Sequence, residues 1–153
     1  MQAKREQIVT ALASRESVPL VRRTRALYWN AQKSLRVACS ISKRYERNGL
    51  YAYWYAYHPS WDEFLSDGES GYLVLGCMDK DEAYAIPRGE IQKLLPFLNT
   101  TTPQTGDMYW HLHIADRTGT PELMVPKQAN NLSLRPFTLT MDAKETSALT
   151  SAA

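Results

Sequence analysis

The chain has 153 residues, 44% of them hydrophobic and 22% charged, with a formal net charge of +2. That length suits one hydrophobic core rather than two. No stretch approaches the roughly 18 apolar residues that cross a bilayer, and residues 1–6 do not lead into the apolar run of a secretory signal, so the expectation is a cytoplasmic protein with no membrane partner. The small net charge conceals a split. Residues 1–50 hold eleven Lys or Arg against three Asp or Glu, a net +8, whereas residues 51–153 hold seven against thirteen, a net −6.

Residues 2–14 predict a helix whose narrow apolar stripe is Ile8, Val9 and Leu12, and Pro19 ends it. Residues 21–33 place Arg22, Arg23 and Arg25 ahead of Leu27, Tyr28 and Trp29 and fit a second helix or an irregular arm, which makes 1–33 a basic, helical N-terminal segment. From Leu35 the period drops to two: Leu35, Val37, Cys39 and Ile41 share one face and Arg36, Ala38, Ser40 and Ser42 the other, the pattern of a strand with one buried face. The polar connection that follows ends in Asn48-Gly49, a hairpin signal, and would return the chain antiparallel beside that strand. The returning strand is aromatic, with Tyr51, Tyr53, Tyr55 and Tyr57 alternating onto one face.

Pro59 stops it, and Trp61 to Leu65 make one helical turn. Residues 72–77 form a continuous apolar run, as expected of a strand covered on both faces at the sheet centre. Asp79-Lys80-Asp81 turns into a strand over 82–86 that Pro87 closes. Residues 88–95 then form a short helix with Ile91, Leu94 and Leu95 toward the sheet, broken at Pro96. Residues 108–114 alternate again, and shorter strands over 122–125 and 134–139 finish the sheet. Beyond Met141 the composition of Ala, Ser and Thr predicts a flexible tail, 142–153. Together these elements predict a single α/β (α+β) domain over 1–141, with a mixed, mostly antiparallel central sheet flanked by helices.

Two groups of residues suggest chemistry. Basic side chains beside an aromatic strand suit a nucleic acid, because Lys and Arg neutralise phosphates and rings stack on bases; on this reading Arg22, Arg23, Arg25, Lys43, Arg44 and Arg47 contact the backbone, and Tyr51 and Tyr53 stack. The competing reading makes the tyrosines ordinary strand residues with hydroxyls at the rim and the arginines solvated. His111 and His113, two apart on a strand, project from the same face and would hold a divalent metal if His58, Asp107 or Asp116 supplied further ligands; the alternative is that both imidazoles hydrogen-bond within a polar sheet face. Asp79, Asp81 and Glu82 suit magnesium or a solvated turn. No Gly-x-Ser-x-Gly elbow or phosphate-cradling glycine loop is present. Cys39 and Cys77 lack C-x-x-C spacing and are expected to be buried free thiols.

The succession of an apolar strand (Tyr72-Leu73-Val74-Leu75-Gly76-Cys77), an acidic turn, a strand ending in Ile86-Pro87 and a helix with Ile91, Leu94 and Leu95 resembles the core of PD-(D/E)XK nuclease-like proteins over roughly residues 35–114. The resemblance implies DNA or RNA as substrate and a divalent metal as cofactor. Its catalytic pattern, an acid on one strand and Asp/Glu-x-Lys on the next, does not occur in the central strands; the one literal match, Asp142-Ala143-Lys144, falls in the predicted tail. The leading expectation is therefore a non-catalytic, nuclease-like module that binds DNA or RNA, an accessory of a defence or restriction system. The alternatives are a metal-dependent hydrolase built on His111 and His113, and a domain whose aromatic surface binds a protein partner.

Overall fold

The alternation that begins at Leu35 builds the centre of the molecule. The structure is a computed structural model that describes residues 1–45, 51–116 and 119–141. In chain order its elements are α1 (Gln2–Glu16), β1 (Val21–Arg22), β2 (Leu27–Trp29), β3 (Leu35–Ser42), β4 (Tyr53–Tyr57), α2 (Pro59–Ser66), β5 (Ser70–Cys77), β6 (Glu82–Pro87), α3 (Arg88–Leu94), β7 (Thr100–Thr101), β8 (Tyr109–Ala115), β9 (Glu122–Leu123), β10 (Leu132–Ser133) and β11 (Thr138–Thr140). A first sheet runs β1-β2-β3-β5-β6-β11, and a second runs β10-β9-β8-β4 with β7 also on β8. Among the described residues only β3 and β5 pair in parallel, and the other pairings are antiparallel. A parallel neighbour needs a crossover, and β4 with α2 supplies it.

The predicted α+β class and mixed sheet are therefore present, arranged in three layers. Helix α1 covers one face of the first sheet: Ile8, Val9 and Leu12 pack on Val37, Cys39, Ile41 and Val74. Arg5 belongs to the same stripe by its i, i+3, i+4 spacing, and its buried guanidinium donates from Nε to the Cys39 carbonyl at 3.0 Å. Ser17, left-handed at φ 56°, ends the helix. The other face meets β4, β8, α2 and α3, where Leu73, Leu75, Cys77, Tyr84 and Ile86 pack on Tyr53, Tyr55, Tyr57, Leu112 and Ile91. This two-sided cover explains the unbroken apolar run of β5. Both cysteines are free and buried as expected, and burial pushes the Cys39 thiol up to about 12 and that of Cys77 to about 11, so neither is a thiolate near neutrality.

Three expectations are corrected. Residues 21–33 are neither helix nor arm but the hairpin β1-β2 on the edge of the first sheet. Tyr28 turns inward beneath α1 and Leu27 packs on the opposite core, an alternation too short to read from the sequence. Strand β4 does not lie beside β3. It pairs with β8, Tyr53 opposite Ile114 and Tyr57 opposite Trp110, because its tyrosines are buried by stacking over Leu73 and Leu75 of the first sheet, which a place within that sheet would not allow. Finally, 134–139 divides into a 3₁₀ turn at Arg135–Phe137 and β11, which closes the first sheet against β6. Asn48-Gly49, Arg47 and the tail 142–153 lie outside the described residues.

Gly76 shows how tightly α1 sits. A Cβ at this position would stand 2.5 Å from Ile8 Cδ1 and 2.6 Å from Ile41 Cδ1, whereas one at Gly89 in α3 would meet nothing within 4 Å. Gly76→Val should therefore lower unfolding free energy by about 1–3 kcal/mol in urea titrations, and Gly89→Ala should raise it by roughly 0.5–1 kcal/mol.

Candidate nucleic-acid interface

The residues nominated from the sequence divide between two surfaces. Arg22, Arg23 and Arg25 are exposed on and around the β1-β2 hairpin, where pairing of Trp29 with Arg36 organises a cluster that sequence reading did not assemble. Arg23, Lys33 and Arg36 stand 5.3, 4.7 and 5.1 Å from the centre of the Trp29 ring. Phe64 of α2 stacks on the same ring at 5.6 Å and receives Arg36 at 4.9 Å. Arg36 is aimed by donating to the carbonyls of Lys33 (2.9 Å) and Phe64 (3.3 Å). The short loop that places Lys33 is tied by Asn30, whose Oδ1 accepts from the backbone N–H groups of Ser34 and Leu35 at 2.9 and 3.0 Å; Lys33 itself is left-handed at φ 59°. Among the described residues, Arg22, Arg23, Arg25, Lys33 and Arg36 form no ion pair with a carboxylate. The available signal was Trp29 and Arg36 flanking the six residues 30–35, which only the hairpin register turns into contact.

The second surface is the outer face of β4 and β8. Tyr53 is not part of it, which corrects its assignment as a stacker. It is fully buried, its hydroxyl donating to Asp79 Oδ1 at 2.7 Å and accepting from Arg44 at 2.9 Å. Tyr55 and Tyr57 are buried alike, with hydroxyls on the Gly76 carbonyl at 2.9 Å and Asp62 Oδ1 at 2.8 Å. Burial is the largest cause raising the phenol pKa values of all three, so they act as neutral donors. Arg44 is exposed yet engaged with Tyr53 and Asp79, and Lys43 is exposed, 5.5 Å from the Tyr45 ring. Tyr51 is half-buried, 4.3 Å from His113 and 6.3 Å from Tyr45.

Because the odd residues of β4 point inward, Trp54 points outward, and with it come rings from β8 and the start of α2. Contacts link Tyr45, Tyr51, His113, His111, Trp54, Tyr109, His58 and Trp61 into a continuous belt, successive centroids lying 4.3–6.4 Å apart. All three histidines of the chain are in it.

His111 and His113 share a face as the alternation predicts, 5.9 Å apart at their centroids, but the proposed ligand set is not assembled. Trp54 Nε1 donates to His111 Nδ1 at 3.2 Å, and His111 Nε2 meets Thr101 Oγ1. An accepting Nδ1 fixes the neutral tautomer with its hydrogen on Nε2, so both nitrogens are committed. Asp116 is held by Lys80, Asp79 by Tyr53 and Arg44, and Glu82 by Lys80 and Tyr84. Among the described residues no three His, Cys, Asp or Glu side chains converge on one point, which corrects both the histidine site and the acidic-turn site. No helix among them is long and apolar enough to cross a membrane.

Compared with protein-family models, with curated proteins and with solved structures, the chain finds no match in any of the three.

Burial, and then the neighbouring His111, lower the His113 pKa from its ordinary value. The unfolded chain takes up this proton near pH 6.5 and the folded chain only below it, so stability is highest above that value and falls as pH drops toward the folded pKa. The His113 imidazole should titrate below about 6.5 by NMR. The urea midpoint should fall between pH 7.5 and about 5, and His113→Gln should reduce that fall.

Proposed function

We propose that this chain binds nucleic acid without acting on it chemically. The observation that carries the reading is the Trp29 cluster: three cations around one half-buried aromatic ring, with no carboxylate ion-paired to them among the described residues. Like charges so close repel one another, and a row of phosphates relieves that repulsion while releasing condensed counterions. Arg36, lying against both Trp29 and Phe64, spends Nε and Nη1 on the Lys33 and Phe64 carbonyls and leaves Nη2 to donate to a phosphate. Arg22 and Arg25 extend the same positive surface along the hairpin.

A protein-binding role has less support. The large hydrophobic side chains exposed among the described residues are Met1, Val21 and Met78, scattered rather than gathered into the apolar patch that marks a protein interface. The binding half of the nuclease-like resemblance is retained here and its catalytic half is not, since the central strands lack Asp/Glu-x-Lys and the carboxylates at the β5-β6 turn are engaged, Asp79 by Arg44 and Tyr53, Asp81 by Lys4 and Glu82 by Lys80.

The test is fluorescence anisotropy with labelled DNA and RNA oligonucleotides over a salt series. Affinity should fall steeply with salt, and replacing Arg23 and Arg36 together by Gln should weaken binding and reduce the slope of log K against log [salt] by roughly 0.7–0.9 for each phosphate contact removed. Absence of binding at low ionic strength, or binding indifferent to both the substitutions and salt, refutes the reading.

A further inference from the structure

Between β3 and β4 lies a cavity of about 400 Å³, whose lining includes Ser40, Lys43, Tyr45, Trp54, His58 and Trp61. It exists because two strand edges face each other without pairing. Strand β2 covers β3 only as far as Ala38, and the Cys39 N–H is the last on that side to find a hairpin partner, the Ala26 carbonyl at 2.8 Å. Peptide groups alternate along a strand, so the N–H and C=O of Ile41 point the same way, into the cavity. From the other wall, the Trp54 N–H reaches Ser42 Oγ at 3.1 Å, away from β8, and the same alternation turns the N–H and C=O of Ala56 into the cavity. Backbone groups shielded from water seek partners; among the described residues the bonds across this gap are that from Trp54 and, past the strand ends, the Tyr45 N–H to the Ala52 carbonyl at 2.8 Å, and neither engages Ile41 or Ala56.

The geometry points to this cavity as a pocket for one unpaired nucleobase of a single-stranded nucleic acid, with an adjacent phosphate on Lys43. The inference rests on the nucleic-acid reading above and adds the form of the ligand. The volume lies within the range of small-molecule sites. The walls offer indole and imidazole faces for stacking, and the floor offers donors and acceptors from Ile41, Ala56 and the Ser40 hydroxyl to the edge of a base. Lys43 is exposed, and among the described residues it has no carboxylate partner. An added peptide strand fits less well, because each edge presents a single free residue whereas strands commonly run five or six. A base inside a duplex cannot enter, since its edge is paired and both faces are stacked. Trp61 and Phe64, three apart on α2, are neighbours on one face of that short helix, the first lining this pocket and the second stacked on Trp29, so a single strand can lay its phosphates on the hairpin and turn one base into the cavity.

The experiment compares 12-nucleotide oligo(dT) and oligo(U) with a duplex of the same length, using the wild type, His58→Ala, the cavity-filling Ser40→Phe, and the Arg23→Gln/Arg36→Gln double variant, each confirmed as folded by circular dichroism. Single strands should bind at least about tenfold more tightly than the duplex. Both pocket variants should weaken single-strand binding at least about fivefold, the lower end for one stacked base, and leave duplex binding unchanged. Equal affinity for single strand and duplex, or pocket variants that bind like wild type while the Arg double variant is impaired, overturns the pocket and leaves the nucleic-acid reading standing. Absence of binding by any oligonucleotide overturns both. An unstructured peptide that binds at low micromolar concentration and is lost on Ser40→Phe, with oligonucleotide binding unaffected, assigns the cavity to a protein chain and also overturns the inference.

Discussion

Three tyrosine rings on β4 fill the space between the two sheets, and the rest of the architecture depends on them. Each buries on the order of 150–250 Å², and each must also satisfy a phenolic hydroxyl, because a buried hydroxyl without a partner costs about 1–3 kcal/mol. Tyr55 finds the Gly76 carbonyl of the first sheet, Tyr57 finds Asp62 of α2, and Tyr53 finds Asp79 at the β5-β6 turn. The hydroxyls thus tie one strand of the second sheet to the first sheet, to its β5-β6 turn and to α2. Asp62 is held in turn by a bidentate Arg88 at 3.0 and 3.1 Å, which ties α2 to the start of α3.

Turning these rings inward commits the opposite face of β4 to the surface. Trp54 then meets His111 and Tyr109 of β8, so the centre of the aromatic belt follows from strand pairing. The same stacking carries β4 away from the β3 edge, so the second half of β3 has no neighbour on its β2 side and a cavity remains. Arg5 completes the device by capping the Cys39 carbonyl just before that open edge. The surface proposed to bind and the core that holds the fold are two faces of the same strand.

The charge split acquires a physical meaning in this arrangement. Acids from the second part of the chain are spent internally: Asp62 on Arg88 and Tyr57, Asp116 on Lys80, Asp79 on Tyr53 and Arg44. The basic residues of the β1-β2 hairpin and the loop after it receive no such partners among the described residues, and Arg23 and Lys33 gather with Arg36 around Trp29. Aromatic faces soften the crowding, since a cation above a ring is worth roughly 0.5–1 kcal/mol at exposed sites, yet the net charge stays outside. That residual field would steer a polyanion to the hairpin.

Local patterning was enough to read β3, β5, β6, α1 and α3, because each has a period or an apolar run set by its own residues. It also showed that Tyr51, Tyr53, Tyr55 and Tyr57 share a face, that His111 and His113 share another, and that positive charge concentrates before residue 50. Which tyrosine face would be covered was not legible, since an alternating strand looks the same whether its aromatic side meets solvent or a second sheet; the deciding partner, β8, lies more than fifty residues away. The Trp29 cluster was hidden for a related reason: Arg23, Trp29, Arg36 and Phe64 belong to four separate elements or connections and meet only through hairpin register and helix packing. Sequence by itself determined the strands, their faces and the charge. Tertiary structure decided burial and neighbourhood, because the energy of a side chain depends on what is brought against it, and that is a property of contacts distant along the chain.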